Sequence, residues 1–230
     1  MNALQKLLRF ALDLAFPRRA VCAGCGSQAG CDEDWLCADC AERLAGGRTG
    51  GRALPGRFPI ARRAHAHPYR GPVPGIVHSL KYRSVSQLAK RMAADMVRAC
   101  AELDLPEAPV VVPVPMHGGR RRRRGYNQAE LLSAEVARSL GYPHANALRK
   151  LRGTRQQASL SRRERAENLR GSVGVRLPVA GKVVLLVDDV YTTGATAVAC
   201  AEALVRANAR AVYVLTYAAA EKAERLSDAA

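Results

Sequence analysis

The sequence predicts an α/β fold: an open, mainly parallel sheet flanked by helices, with a small N-terminal ribbon ahead of it. Three observations carry that expectation. From about residue 65, short apolar runs suited to buried strands alternate with segments of helical period. The last three of these come in the order strand, helix, strand, a βαβ unit that implies parallel neighbours. Upstream, two Cys-x2-Cys pairs occupy residues 22–40.

At 230 residues the chain has room for one good-sized domain and an appendage, which we divide as 1–58 and 59–230. Segment 7–16, LLRFALDLAF, is interrupted by Arg9 and Asp13, and no small-residue cleavage site follows it. It reads as an amphipathic helix rather than a signal peptide. No apolar run approaches the length of a membrane span, so no membrane span and a cytoplasmic location are expected. In that setting seven cysteines point to metal or thiol chemistry rather than a disulfide framework.

Cys22-x2-Cys25 and Cys37-x2-Cys40 are separated by eleven residues. Two such knuckles can close four thiolates around a structural Zn²⁺, and a segment this short and polar would draw most of its folding energy from the metal. A redox pair or two disulfides are the alternatives, and duplication of the motif speaks for zinc. Cys31 lies between the pairs as a bystander thiol or a substitute ligand. Asp32, Glu33, Asp34, Asp39 and Glu42 make the ribbon acidic, fit for docking on a basic body or a partner. Residues 45–58, with five glycines and a proline, read as a linker.

The body follows in order. Residues 86–103 place Leu88, Met92, Met96, Ala99 and Cys100 on one helical face. Residues 108–115 form an apolar run suited to a strand covered on both faces. A basic loop leads from it to a helix at 127–140, with Leu131, Leu132, Val136 and Leu140 inward and Gly141 as its stop. A strand at 182–187, a helix at 195–209 with Cys200 in the core, and a strand at 211–217 complete the pattern.

Thirty-six Lys and Arg against twenty Asp and Glu leave a net charge of +16 and imply a polyanionic ligand, unless the arginines simply cover solvated faces. The stretch VVLLVDDVYTTGAT is more specific. Its apolar strand runs into Asp188 and Asp189 at the end of a sheet where α/β folds bind ligands. Adjacent strand residues point to opposite sides, so both carboxylates reach one atom only if the strand is ending there. Like charges side by side shift the titration of at least one, which an ordinary strand end does not need. Carboxylates there suit vicinal sugar hydroxyls or a Mg²⁺ shell. Thr192, Thr193, Gly194 and Thr196 then open a helix whose free N–H groups favour a phosphate. The order matches a ribose 5-phosphate.

This stretch resembles the phosphoribosyl-pyrophosphate signature of class I phosphoribosyltransferases. The resemblance implies that Asp188 and Asp189 act catalytically and meet the ribose hydroxyls. It implies that Val190, Tyr191, Thr192, Thr193, Gly194, Ala195 and Thr196 bind phosphoribosyl pyrophosphate, with Thr192 to Thr196 at the 5′-phosphate. VPVPMHGGRRRRRGYNQAELL, HSLKYR and TRQQASLSRRERAENLRGSV, together with the double CxxC, resemble the ComF family, the competence-protein F group, over nearly the whole chain. The late element is carried by Thr154, Gln157, Leu160, Ser161, Arg165, Asn168 and Gly171. Tyr126 stands where that family usually has Phe, and Val173 where it often has Phe.

The resemblance implies Mg²⁺-dependent attack of a nitrogen nucleophile at ribose C1 with pyrophosphate leaving, a step that asks for positioning and charge stabilisation. Pro115 and Met116 would lie at the pyrophosphate, and Lys81 or the arginines would neutralise it. It also implies a role in DNA uptake alongside DNA-uptake proteins. Arg120, Arg121, Arg122, Arg123, Arg124 and Tyr126 are the expected nucleic-acid contacts, and basic residues interleaved with tyrosines suit single-stranded DNA. A non-catalytic DNA-binding or sugar-phosphate-sensing protein is the alternative. His65, His67, His78 and His144 show no carboxylate partner in the sequence and read as surface or turn residues; His117 is set apart by its place after a strand. No Ser-His-Asp order and no GxxxxGK[ST] motif is present.

Overall fold

Valine and leucine at consecutive positions need cover on both faces, and that requirement builds the sheet from its middle outward. The computed structural model describes residues 21–28, 30–31, 35–47, 54–55, 58–82, 86–151 and 171–220. The expected helix at 7–16, residues 154–168 of the late motif and most of the linker lie outside them. Strands β1 (Leu54–Pro55), β2 (Arg62–Pro68), β3 (Val110–Pro113), β6 (Val183–Tyr191) and β7 (Ala211–Ala219) form one sheet in the order β1-β2-β7-β6-β3. β2, β7, β6 and β3 run parallel, and the two residues of β1 pair antiparallel at one edge. Strands β4 (Leu148–Lys150) and β5 (Val173–Val175) make a separate antiparallel pair. The open parallel sheet read from the sequence is the architecture found.

Along β6 the side chains alternate between two cores. Val183, Leu185 and Val187 join Met92, Met96, Leu132 and Val136, while Val184 and Leu186 join Cys200 and Leu204. Each of these buried aliphatic side chains contributes about 2 kcal/mol. The first core lies under α2 (Val73–Tyr82), α3 (Ser86–Cys100) and α5 (Gln128–Leu140). The second lies under α6 (Ala195–Arg206) and the β4–β5 pair. The faces expected for residues 86–103 and 127–140 are the buried ones, and Gly141 ends α5 as anticipated. The cysteine lobe, with α1 (Ala38–Gly46), shares the first core through Cys22, Leu36, Cys40 and Leu44.

Three expectations change. The basic loop contains a helix, α4 (Gly118–Arg124), whose N-cap His117 accepts the Gly119 N–H at Nδ1 (3.2 Å), with Gly125 closing the other end. Arginine is a good helix former, and cations in the last turn suit the helix dipole. Second, β6 does not stop at the aspartates but pairs with β7 as far as Tyr191. Third, His65 and His67 are not surface residues: both are buried in β2, an element the sequence hid because its inward aliphatics are only Ala64 and Ala66.

His67 has the carboxylate partner the sequence did not reveal. Its Nε2 lies 3.0 Å from Asp95 Oδ2 on α3, Arg98 bonds the other Asp95 oxygen, and the ring meets Tyr217 edge-on at 5.1 Å. His67 Nδ1 is buried without a hydrogen-bond partner among the described residues, so in the neutral ring the proton sits on Nε2, facing Asp95. Asp95→Ala therefore leaves a buried N–H without an acceptor and should cost about 2–3 kcal/mol in urea unfolding. Arg98→Ala, at a half-exposed guanidinium, should cost less. Equal costs for the two would contradict this ordering.

Candidate functional site

All four parallel strands end at the same edge of the sheet, where the carboxylates of β6 lie. Thr216 of β7 is the register partner of Asp188 on one side. On the other, β3 extends past Pro113 through the bond from the Val114 N–H to the Val187 carbonyl (2.9 Å). The two aspartates turn to opposite faces, as adjacent strand residues should. Asp189 Oδ2 pairs with Lys81 Nζ at 2.7 Å, and Lys81 comes from the last turn of α2 in the first core. Asp188 faces the second core, where its charge is felt by Cys200 and by Lys150 at the end of β4. Each carboxylate also accepts the following backbone N–H: Asp189 N to Asp188 Oδ1 (2.9 Å) and Val190 N to Asp189 Oδ1 (2.8 Å).

Burial and then the neighbouring Asp189 charge push the Asp188 carboxyl well above its ordinary range. Burial also lowers Lys150, and burial pushes the Cys200 thiol up to about 12. Lys150 was not singled out in the sequence, since it stands in no motif and meets Asp188 only through the fold. Lys81 thus serves both aspartates, pairing with Asp189 and opposing by its charge the effect of burial on Asp188. The carboxylates are hard oxygens suited to a divalent cation.

Immediately after β6, Gly194 caps α6 with φ of 74°. The backbone therefore favours glycine; a Cβ there would also stand 2.1 Å from the Tyr191 hydroxyl, a side-chain tip that would have to turn aside. The Tyr191 ring folds back on this loop, with the Arg63 guanidinium 4.8 Å from its centroid. Thr192 and Thr193 are exposed, and Ala195 and Thr196 half-buried. Thr193 Oγ1 accepts the Ala195 N–H at 3.4 Å.

Pro115 and Met116 are half-buried in the loop after β3. Asn127 pins that loop by donating Nδ2 to the Val114 carbonyl (3.0 Å) while its Oδ1 caps α5 at Ala129 N (3.2 Å). Next to it, Gln128 Oε1 is buried with no hydrogen-bond partner among the described residues. Arg120 to Arg123 are exposed and Arg124 half-buried; Arg121 pairs with Glu130 at 3.3 Å. Arg124 lies 5.0 Å from the Tyr82 ring, which meets His78 at a tilt at 4.6 Å and is 63% exposed. Tyr126 is half-buried, and its hydroxyl donates to the Leu80 carbonyl near the end of α2.

Apart from the strand ends, the sulfurs of Cys22, Cys25, Cys37 and Cys40 all lie within 4.8 Å of one another. A Zn–S length near 2.3 Å puts tetrahedral sulfurs about 3.8 Å apart, and Cys25 and Cys37 are separated by 3.8 Å. The four cysteines are therefore able to hold a metal such as zinc. The Cys37 N–H points at Cys22 Sγ (3.3 Å), and hydrogen bonds with Ser27 pull the Cys25 thiol down to about 6, towards the thiolate a metal needs. None of the seven cysteines forms a disulfide, and Cys31 packs against the core outside this cluster.

The chain is 32% identical over 211 residues to the DNA utilization protein YhgH of Escherichia coli (strain K12), covering 88% of this chain and 92% of that one. It is 40% identical over 99 residues to competence protein F of Haemophilus influenzae, covering 41% of this chain and 42% of that one. Among solved structures it is similar to TT1426 from Thermus thermophilus, at 24% identity and a TM-score of 0.39, over 62% of this chain and 79% of that one. No protein-family model matches. Among the described residues, no helix is long and apolar enough to cross a membrane.

Ionising Asp188 in the fold is unfavourable, so the stability it contributes is full below its unfolded value near 4 and is lost as pH rises through its raised folded value. Asp188→Asn should then raise the melting temperature at pH 7 by a few degrees, with a smaller gain at pH 4. A fall in melting temperature at pH 7 would contradict this account. Replacing Cys37 and Cys40 by Ser should release bound zinc, measured by metal analysis, and lower stability by several kcal/mol.

Proposed function

Since the chain belongs to the ComF family, we propose that it binds phosphoribosyl pyrophosphate, or a related sugar phosphate, with Mg²⁺ at the carboxyl end of β6, and that it does so in DNA uptake. One observation carries the reading: two carboxylates on opposite faces of a parallel strand end, followed at once by a glycine-capped helix start. The carboxylates accept the ribose 2′- and 3′-hydroxyls. The segment from Thr192 to Thr196 receives the 5′-phosphate at the start of α6. Pro115 and Met116 flank the pyrophosphate, and Lys81 supplies positive charge beside it. Tyr191 turns off the loop to admit the ligand. Asp188 and Asp189 would hold a Mg²⁺ ion, which would supply neutralisation of the pyrophosphate charge.

In turnover a nitrogen nucleophile forms the new bond to C1 while the bond to pyrophosphate breaks and the pyrophosphate keeps the electron pair. The chain's part is to orient the ribose and hold the leaving charge. The expected division at 58 and 59 separates the jobs: the cysteine lobe with its structural zinc before it, the sugar-phosphate unit after it.

A second reading rests on the exposed surface beside the site. Tyr82 and His78 form a tilted ring pair next to Arg124, with Arg120 to Arg123 exposed along α4. That combination suits single-stranded DNA, with bases on the rings and phosphates along the arginines. Such a protein would bind DNA or sense the sugar phosphate without turnover.

Asp189→Asn should weaken phosphoribosyl pyrophosphate binding by about tenfold to a hundredfold in calorimetry while zinc content stays at the wild-type level; unchanged affinity would refute the assignment. Pyrophosphate release across a panel of bases and DNA ends separates an enzyme from a sensor. For DNA, affinity should fall steeply with salt, and replacing Arg121 to Arg123 should flatten the slope by about two to three units.

A further inference from the structure

Helix α2 runs from the cysteine lobe to the strand ends. Gly75, in the first half of α2, lies so close to the first knuckle that a Cβ would stand 1.8 Å from the Gly24 carbonyl oxygen. Gly24 in turn is wedged between Cys40 Sγ and Pro72, each 2.9 Å from where its own Cβ would be. Four residues after Gly75, on the same helix face, the buried Ser79 hydroxyl donates to the Ala23 carbonyl (3.0 Å). Ala23 and Gly24 are the two residues between Cys22 and Cys25, so α2 rests on the knuckle itself.

Two residues after Ser79 comes Lys81, whose ammonium is paired with Asp189 at 2.7 Å. From Gly75 to Lys81 is roughly 9 Å along a rigid helix. A shift of the knuckle therefore reaches the base of the Lys81 side chain through the helix backbone, and with it the point from which the ammonium extends to Asp189. The knuckle's shape depends in turn on four sulfurs brought together, which a bound metal fixes.

We infer that the four-cysteine lobe is a positioning element of the sugar-phosphate site, acting through Gly75 and Ser79 of α2 to set Lys81 against Asp189. Ser79 and Gly75 touch no ligand; they are positioning residues. The inference rests on the reading of the β6 strand end as the ligand site, and it adds that metal in the lobe and ligand at the strand end are thermodynamically linked.

A double-mutant cycle tests it on the full chain with Mg–phosphoribosyl pyrophosphate as the probe. Ser79→Ala should weaken binding about three- to tenfold with zinc content unchanged, and the same substitution in a Lys81→Met background should add less than about twofold. A loss of equal size in both backgrounds, or none in either, overturns the inference. Hydrogen exchange reads the coupling without ligand. Stripping zinc with a chelator should speed exchange in the last turn of α2 by about tenfold and leave α5 unaltered. Equal exchange with and without metal also overturns it. Failure of the wild-type protein to bind the probe counts against the ligand reading alone, since the exchange experiment still decides the coupling.

Discussion

Two carboxylates on consecutive residues of a buried strand repel one another, and β6 keeps both by turning them to opposite faces of the sheet. That separation has structural consequences on each side. Asp189 needs a cation from the first core, which α2 supplies as Lys81, and Asp188 turns to the second core, with Lys81 again the cation that favours its charge. The following backbone amides bond back to both carboxylates, which fixes their orientation at the strand end. Elements far apart in sequence are thus held at one edge by charge as well as by apolar burial.

The arrangement is still unfavourable for Asp188, whose burial opposes ionisation. Stability at that point is given up for a carboxylate in a fixed place, the usual condition of a functional site. Tyr191 adds a second constraint. With its ring against Gly194 and Arg63 close to its face, the loop before α6 is filled by the chain's own side chain. The strand that carries it is anchored by β3 and β7 on either side.

Much of this was legible in the sequence because it is local. The apolar run of β6, the aspartates after it, the glycine that starts α6 and the double CxxC depend on neighbours within a few residues. What was not legible depends on pairs distant in the chain. His67 finds Asp95 across 28 residues, and its strand carried only alanines on the inward side to announce it. The alternation of Arg63, His65 and His67 with Ala64 and Ala66 was the available signal, weak because polar residues filled buried places. Arg120 to Arg124 read as a loop because glycines flank them, although those glycines lie at the two ends of a helix. Lys150 and Ser79 stand in no motif and acquire meaning only when β4 and α2 reach their partners.

The charge balance gains a sharper meaning from this geometry. A net charge of +16 attracts any polyanion, from inorganic phosphate to nucleic acid, with little discrimination. At the β6 strand end the surface is different, for Asp188 and Asp189 present acceptors that repel a bare phosphate. A ligand drawn in by the arginines must bring hydroxyl donors or a divalent cation to meet those carboxylates, or leave them unsatisfied at a cost of about 1–3 kcal/mol for each lost partner. The proposed ligand, a sugar ring carrying vicinal hydroxyls between a phosphate and a metal-chelated pyrophosphate, is of that kind. On that proposal, selection comes from acceptor carboxylates set within a basic protein, and the positive charge around them serves to bring candidates to the door.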